Sequence, residues 1–205
     1  MYQFFESIKL LDGKLHLLDL HSERLNATRN AFFENVKDID LEKELMIPCE
    51  KQNGLYKVKV VYAKYLESIT IDSYSIKDHH RIKLLEKPEI QYDFKFLDRK
   101  NLEEDFIQEA DFDDIIFLKN GTLTDATYSN LAFFDGKTWF TPENCLLNGV
   151  KRKALLDSEV ITEKKILKDD IQGFQKIAFI NAMRDFEKMY TFVQKDDFLL
   201  LNPSL

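Results

Sequence analysis

Three Asx-Gly dipeptides, Asp12-Gly13, Asn120-Gly121 and Asp135-Gly136, lie beside strand-length apolar runs and constrain the fold more than any other feature of this 205-residue chain. Asx-Gly is favoured in two-residue hairpin turns because both central positions there require positive φ. Residues 2–10 and 14–19 therefore read as one hairpin, and Leu131–Phe134 with Thr138–Phe140 as another. Ile115–Leu118 reads as a buried strand entering the Asn120-Gly121 turn, followed by an irregular polar stretch from Thr124 to Asn130. Tyr56, Val58, Val60 and Tyr62 alternate with Lys57 and Lys59 as a further strand, with Ile69 and Ile71 on its antiparallel neighbour. More strands are expected near Val160, Ile177–Ile180 and Met189–Val193. Helices are expected from Leu20 to Asn35 behind an Asp19 cap, from Leu41 to Met46, from an Asp98 cap through Leu102, Phe106 and Ala110, and from Val150 to Ser158. Strands outnumber helices and join mostly through hairpins, so the class is α+β, with two small domains built on antiparallel or mixed sheets. The charged run Lys77 to Pro88 reads as a linker dividing an N-terminal domain, 1–88, from a C-terminal domain, 89–205.

Composition narrows the function. The chain is 44% apolar and 32% charged, with 17 Phe and 8 Tyr, which suits a packed globular core. A net charge of −7 argues against nucleic acid or an anionic membrane as the main partner, so an anionic ligand requires a local basic pocket. Cys49 and Cys145 are far apart and the four histidines show no metal-ligand spacing, so no metal centre is expected. No signal peptide and no apolar run near the roughly 20 residues of a membrane span is visible, and the expected location is the cytoplasm.

Five places carry chemistry. Lys95 interrupts Tyr92-Asp93-Phe94-Lys95-Phe96-Leu97, where period-2 reading puts Tyr92, Phe94 and Phe96 on one face and Lys95 on the other. It either snorkels from an edge strand or is a desolvated amine that can act as a nucleophile. Arg24 shares a helix stripe with Leu20, Ala27 and Ala31, where small neighbours leave room for a ligand to approach; a surface salt bridge is the alternative. Gly149-Val150-Lys151 opens a helix, whose first N–H groups make either a phosphate site or a simple turn. Asp125 either caps a turn through its own backbone or faces a buried cationic nitrogen. Lys57 and Lys59 form either a solvated strand face or a basic patch for substrate carboxylates.

Five segments in fixed order, Phe5-Glu6-Ser7, His21-Ser22-Glu23-Arg24-Leu25, Lys95-Phe96-Leu97-Asp98-Arg99, Asn120-Gly121-x-Leu123-Thr124-Asp125 with Asn130-Leu131, and Gly149-Val150-x-Arg152, resemble the class IV, fold-type IV pyridoxal-phosphate enzymes. These include branched-chain and D-amino-acid aminotransferases and 4-amino-4-deoxychorismate lyase. The resemblance implies pyridoxal 5'-phosphate as cofactor, a small amino compound as substrate and a homodimer. It implies that Lys95 bonds the cofactor, that Arg24, Gly149, Val150 and Lys151 hold its phosphate with Asn181-Ala182 as a further phosphate-side loop, and that Asp125 faces the pyridine nitrogen. Lys-x-Leu-Asp-Arg is similar to the Lys-x-Leu-Asn-Arg of the lyase branch, so the expected reaction yields 4-aminobenzoate and pyruvate. The alternatives are an aminotransferase for branched-chain or D-amino acids and a family member without turnover. Asp125 stands where these families carry glutamate, and Lys151 where they carry threonine or methionine.

Overall fold

The computed structural model describes residues 2–109, 111–186 and 188–203. They divide into two compact units, one of residues 1–76 with 94–98, the other of 77–93 with 99–205.

In the first unit, β1 (Phe4–Leu11) turns through Asp12 and Gly13, both at positive φ, into the short β2 (Lys14–Leu15). Helices α1 (Leu18–Phe32) and α2 (Leu41–Glu44) follow, then β3 (Leu55–Tyr62) and β4 (Leu66–Ser73). The four strands form an antiparallel sheet in the order β2-β1-β3-β4, with Glu6 opposite Val60 and Lys9 opposite Lys57. Alternation sends Phe4, Ile8, Leu10, Val58, Val60 and Tyr62 to the face that buries Leu25 of α1 and Leu41 of α2, and Phe5, Ser7 and Lys9 to the other. Helix α1 starts at Leu18 instead of Leu20, because Leu17 takes a left-handed conformation; Asp19 lies in the first turn, where its charge suits the helix dipole without capping it.

The second unit holds β5 (Arg81–Glu86), α3 (Lys100–Gln108), β6 (Asp114–Lys119), β7 (Thr122–Ala126), β8 (Asn130–Phe134), β9 (Trp139–Pro142), α4 (Val150–Asp157), β10 (Thr162–Lys164), β11 (Lys176–Ile180), β12 (Met189–Gln194) and β13 (Phe198–Pro203). Its nine-stranded mixed sheet runs β10-β9-β8-β11-β12-β13-β5-β6-β7, with β10/β9 and β5/β6 parallel. The α+β class with antiparallel and mixed sheets is what the turn pattern predicts.

Further expectations change. The stretch expected as a linker contains β5, whose Ile82 and Leu84 are buried between β13 and β6; Arg81 and Lys83 are the alternate positions of that strand. The division into 1–88 and 89–205 gives way to a cut after residue 76, with 94–98 returning to the first unit and carrying Lys95 there. That segment is not a full strand: Phe96 makes an isolated antiparallel bridge to Phe4, while Phe94 and Phe96 do pack together on the Phe4 side as period-2 spacing requires. Thr124, Asp125 and Ala126 belong to the fully buried β7 instead of an irregular loop. Ala110, expected on α3, lies outside the described residues.

Candidate functional site

In the first unit the chemistry gathers on both faces of β1. Glu6 occupies a core position between Phe4 and Ile8 and is completely buried. Its carboxylate accepts Arg24 Nε at 2.9 Å and Nη2 at 2.5 Å, and His21 Nδ1 approaches Oε2 at 2.6 Å. Burial alone would push the Glu6 carboxyl up; the Arg24 charge and the His21 bond outweigh it and hold the group down at about 2. His21 is lowered by burial, against the pull of Glu6, and is neutral. It therefore carries its proton on Nδ1 toward Glu6, which leaves Nε2 buried with no hydrogen-bond partner among the described residues. On the opposite face, Lys95 Nζ lies 4.6 Å and Lys59 Nζ 5.4 Å from the centroid of the Phe5 ring. The Phe5 N–H donates to the Lys95 carbonyl at 3.0 Å, which ties the lysine's backbone to β1. Lys57 lies over Tyr74 at 5.6 Å. The first unit thus brings Arg24, Lys95 and Lys59 to one strand, with Glu6 and His21 locking the arginine.

In the second unit a single carboxylate organises the approach to α4. Asp125 Oδ2 accepts the N–H groups of Leu146 at 3.0 Å and Leu147 at 2.9 Å, and Oδ1 accepts Asn130 Nδ2 at 2.9 Å. The same Asn130 nitrogen donates to the Leu147 carbonyl at 2.7 Å. Burial pushes the Asp125 carboxyl up to about 6 in spite of these bonds. At Gly149 an added Cβ would meet Asn130 Oδ1 at 2.1 Å, so only glycine lets the chain pass this close. Gly149 then opens α4 with no side chain capping it, leaving the first N–H groups of Val150 and Lys151 without helical partners. Arg152 fixes this end from beneath: it is buried and bonds Pro142 O at 3.0 Å, Glu163 Oε1 at 2.6 Å and Asn148 Oδ1 at 3.3 Å. Asn181 bonds Ser129 Oγ at 2.9 Å and accepts the N–H groups of Met183 and Arg184, so the turn holding Ala182 is bound to the loop that follows β7. Asp125 and Asn130 thus hold the chain at Leu146 and Leu147, just before Gly149, Val150 and Lys151, while Asn181 is tied to Ser129 in the loop after β7.

Glu6, Asn130 and Arg152 stood inside the quoted motifs without a role. A carboxylate in phase with Phe4, Ile8 and Leu10 was the available signal for Glu6; Asn130 carried none, since its effect depends on the return of the chain at Gly149. Among the described residues no cluster of His, Cys, Asp or Glu is arranged to hold a metal ion, and no helix is long and apolar enough to cross a membrane.

Comparison with known proteins converges on one family. The profile of amino-transferase class IV matches residues 3–186. An uncharacterised protein of Haemophilus influenzae Rd is 32% identical over 185 residues, covering 89% of this chain and 98% of its own. A crystal structure of a proposed 4-amino-4-deoxychorismate lyase from Haemophilus somnus 129PT is similar with a TM-score of 0.83 and 26% identity, over 89% of this chain and 97% of that one. A proposed amino-acid aminotransferase of Mesorhizobium loti shares the fold at a TM-score of 0.77 and 17% identity, over 90% and 96% of the two chains. So does the PLP-bound form of a hypothetical aminotransferase from Mycobacterium tuberculosis, at 0.73 and 16% over 88% and 78%. With nine-tenths of its length matched, this chain belongs to the class IV aminotransferase family of enzymes.

Proposed function

We propose that this chain is a pyridoxal-phosphate enzyme that removes the Cα proton of an amino substrate, and specifically a 4-amino-4-deoxychorismate lyase releasing pyruvate and 4-aminobenzoate for folate synthesis. The observation that carries the lyase reading is the similarity, at 26% identity over nearly the whole of both chains, to the proposed lyase of Haemophilus somnus. Lys95-Phe96-Leu97-Asp98-Arg99 supports the same branch. By its family resemblance the enzyme acts as a cytoplasmic homodimer on a small molecule.

The residues fit the cofactor. Its phosphate is a dianion, and the uncapped start of α4 and the guanidinium of Arg24 are donors suited to it. Its ring nitrogen is a cation when protonated, and Asp125 is a carboxylate whose pKa is raised by burial, a setting in which a cationic partner would favour its ionised form. When bound, pyridoxal phosphate supplies an aldehyde and an electron-withdrawing ring. Lys95 would hold the aldehyde through Nζ, and its amine, when free, would take the proton from the substrate's Cα. Arg24 and the N–H groups of Gly149, Val150 and Lys151 would hold the phosphate, with Asn181 and Ala182 as a further phosphate-side loop. Asp125 would face the ring nitrogen and favour its protonation, and Lys57 and Lys59 would attract substrate carboxylates.

Incubating the loaded enzyme with 4-amino-4-deoxychorismate and no keto acid tests the reading: pyruvate is expected in step with 4-aminobenzoate. Absence of pyruvate, together with conversion of the cofactor to its amine form by ordinary amino acids, would assign the chain to the aminotransferases instead.

A further inference from the structure

Glu6 is the least expected residue of the first unit. It places a carboxylate where the alternation of β1 calls for an apolar side chain, between Phe4 and Ile8 and opposite Val60. Ionised carboxylates are buried only with partners that match them. Here the match is two-sided: the Nε–Nη2 edge of Arg24 meets both oxygens, and the Nδ1–H of His21 takes up a further lone pair of Oε2. A guanidinium is planar and rigid, so gripping one edge sets the direction of every remaining N–H group. The carboxylate also opposes the charge Arg24 would offer to an anion, and what the pairing supplies in return is orientation.

We infer that Glu6, seated by His21, is a positioning residue that fixes the guanidinium plane of Arg24 for the phosphate of the cofactor. This rests on the proposed function, in which Arg24 takes that phosphate. Neither Glu6 nor His21 touches the reacting atoms; each acts through Arg24. The arrangement predicts a preference for phosphorylated over unphosphorylated cofactor that depends on residues lying behind the arginine.

The test compares affinities for pyridoxal phosphate and pyridoxal, read by absorbance and by borohydride-trapped adduct, in the native chain, Glu6→Gln and His21→Phe. A merely structural role would weaken both ligands alike and leave their ratio unchanged. Positioning predicts that the preference for the phosphorylated form falls about tenfold or more in Glu6→Gln, the size of one lost charge-assisted hydrogen bond. In His21→Phe, which keeps a ring and removes the donor, it falls by about threefold. Should Glu6→Gln not fold, His21→Phe decides the matter alone. An unchanged ratio, or tighter phosphate binding once the Glu6 charge is removed, would overturn the positioning role while leaving the proposed function intact. A native chain that forms no reducible adduct, or does not distinguish the two ligands, would overturn both.

Discussion

Gly149→Ala isolates the close approach at the start of α4. Gly149 has φ −68° and ψ 142°, a conformation alanine adopts without strain, so any cost comes from the side chain alone. The new Cβ would stand 2.1 Å from Asn130 Oδ1, far inside contact distance, and Asn130 must swing away. That movement breaks its bonds to Asp125 Oδ1 at 2.9 Å and Leu147 O at 2.7 Å. The first is charge-assisted whenever Asp125 is ionised, worth about 1.5–3 kcal/mol, and the second contributes about 1 kcal/mol, so a loss of about 2–4 kcal/mol is expected. For a protein of this size that lowers Tm by about 4–16 °C, measurable by calorimetry or urea titration. Pairing the change with Asn130→Ala removes the clash, and the double variant is expected to lose clearly less than the sum of the two single variants. Additive losses, or a Gly149→Ala protein within about 0.5 kcal/mol of native, would refute the reasoning.

Three more outcomes follow from the site. Lys95→Ala is expected to abolish the borohydride-trapped cofactor adduct, read by mass spectrometry, while Lys59→Ala retains it; an adduct persisting without Lys95 would move the reactive amine elsewhere. Glu6 has a folded pKa of about 2 against 4.5 when unfolded, so the unfolded chain binds more protons between these values. Its contribution to stability is complete above pH 4.5 and disappears toward pH 2, and the gap between native and Glu6→Gln in urea unfolding is expected to close over that window. Asp125 has the opposite sign: with a folded pKa near 6 against 3.8, it favours the folded state below pH 3.8 and loses that effect as pH rises to 6. The fall in stability over that range is expected to be shallower in Asp125→Asn.

What the sequence disclosed and what it hid divide along physical lines. The Asx-Gly turns and the alternation around Tyr56–Tyr62 are local signals, and the strands they predict stand in the structure as β1, β3, β8 and β9, with β2 cut to Lys14–Leu15 where 14–19 was expected because α1 already begins at Leu18. Residues 81–86 do not read as a strand because both pairing partners, β6 and β13, are distant in sequence, and Arg81 and Lys83 around Ile82 look like a loop until those partners are known. Lys95 announced itself as a cation among aromatics, yet its tie to β1 depends on a backbone bond across some ninety residues. Glu6 carried no role in the sequence for the converse reason: its carboxylate sits in phase with the core, and only the arrival of Arg24 and His21 from α1 makes that tenable.

The return of residues 94–98 to the first unit also governs how the chain can be built. Phe94 and Phe96 pack against Phe32 and Phe4, with ring centroids 4.8 Å and 5.0 Å apart, and Leu97 donates to the Gln3 carbonyl at 2.8 Å. A nascent polypeptide halted at residue 76 would expose those rings to water, and it can cover them only after residues 77–93, which belong to the other unit, have left the ribosome. Separate expression of the two halves is therefore expected to yield an aggregating amino-terminal fragment, which a supplied peptide spanning 92–99 would render soluble.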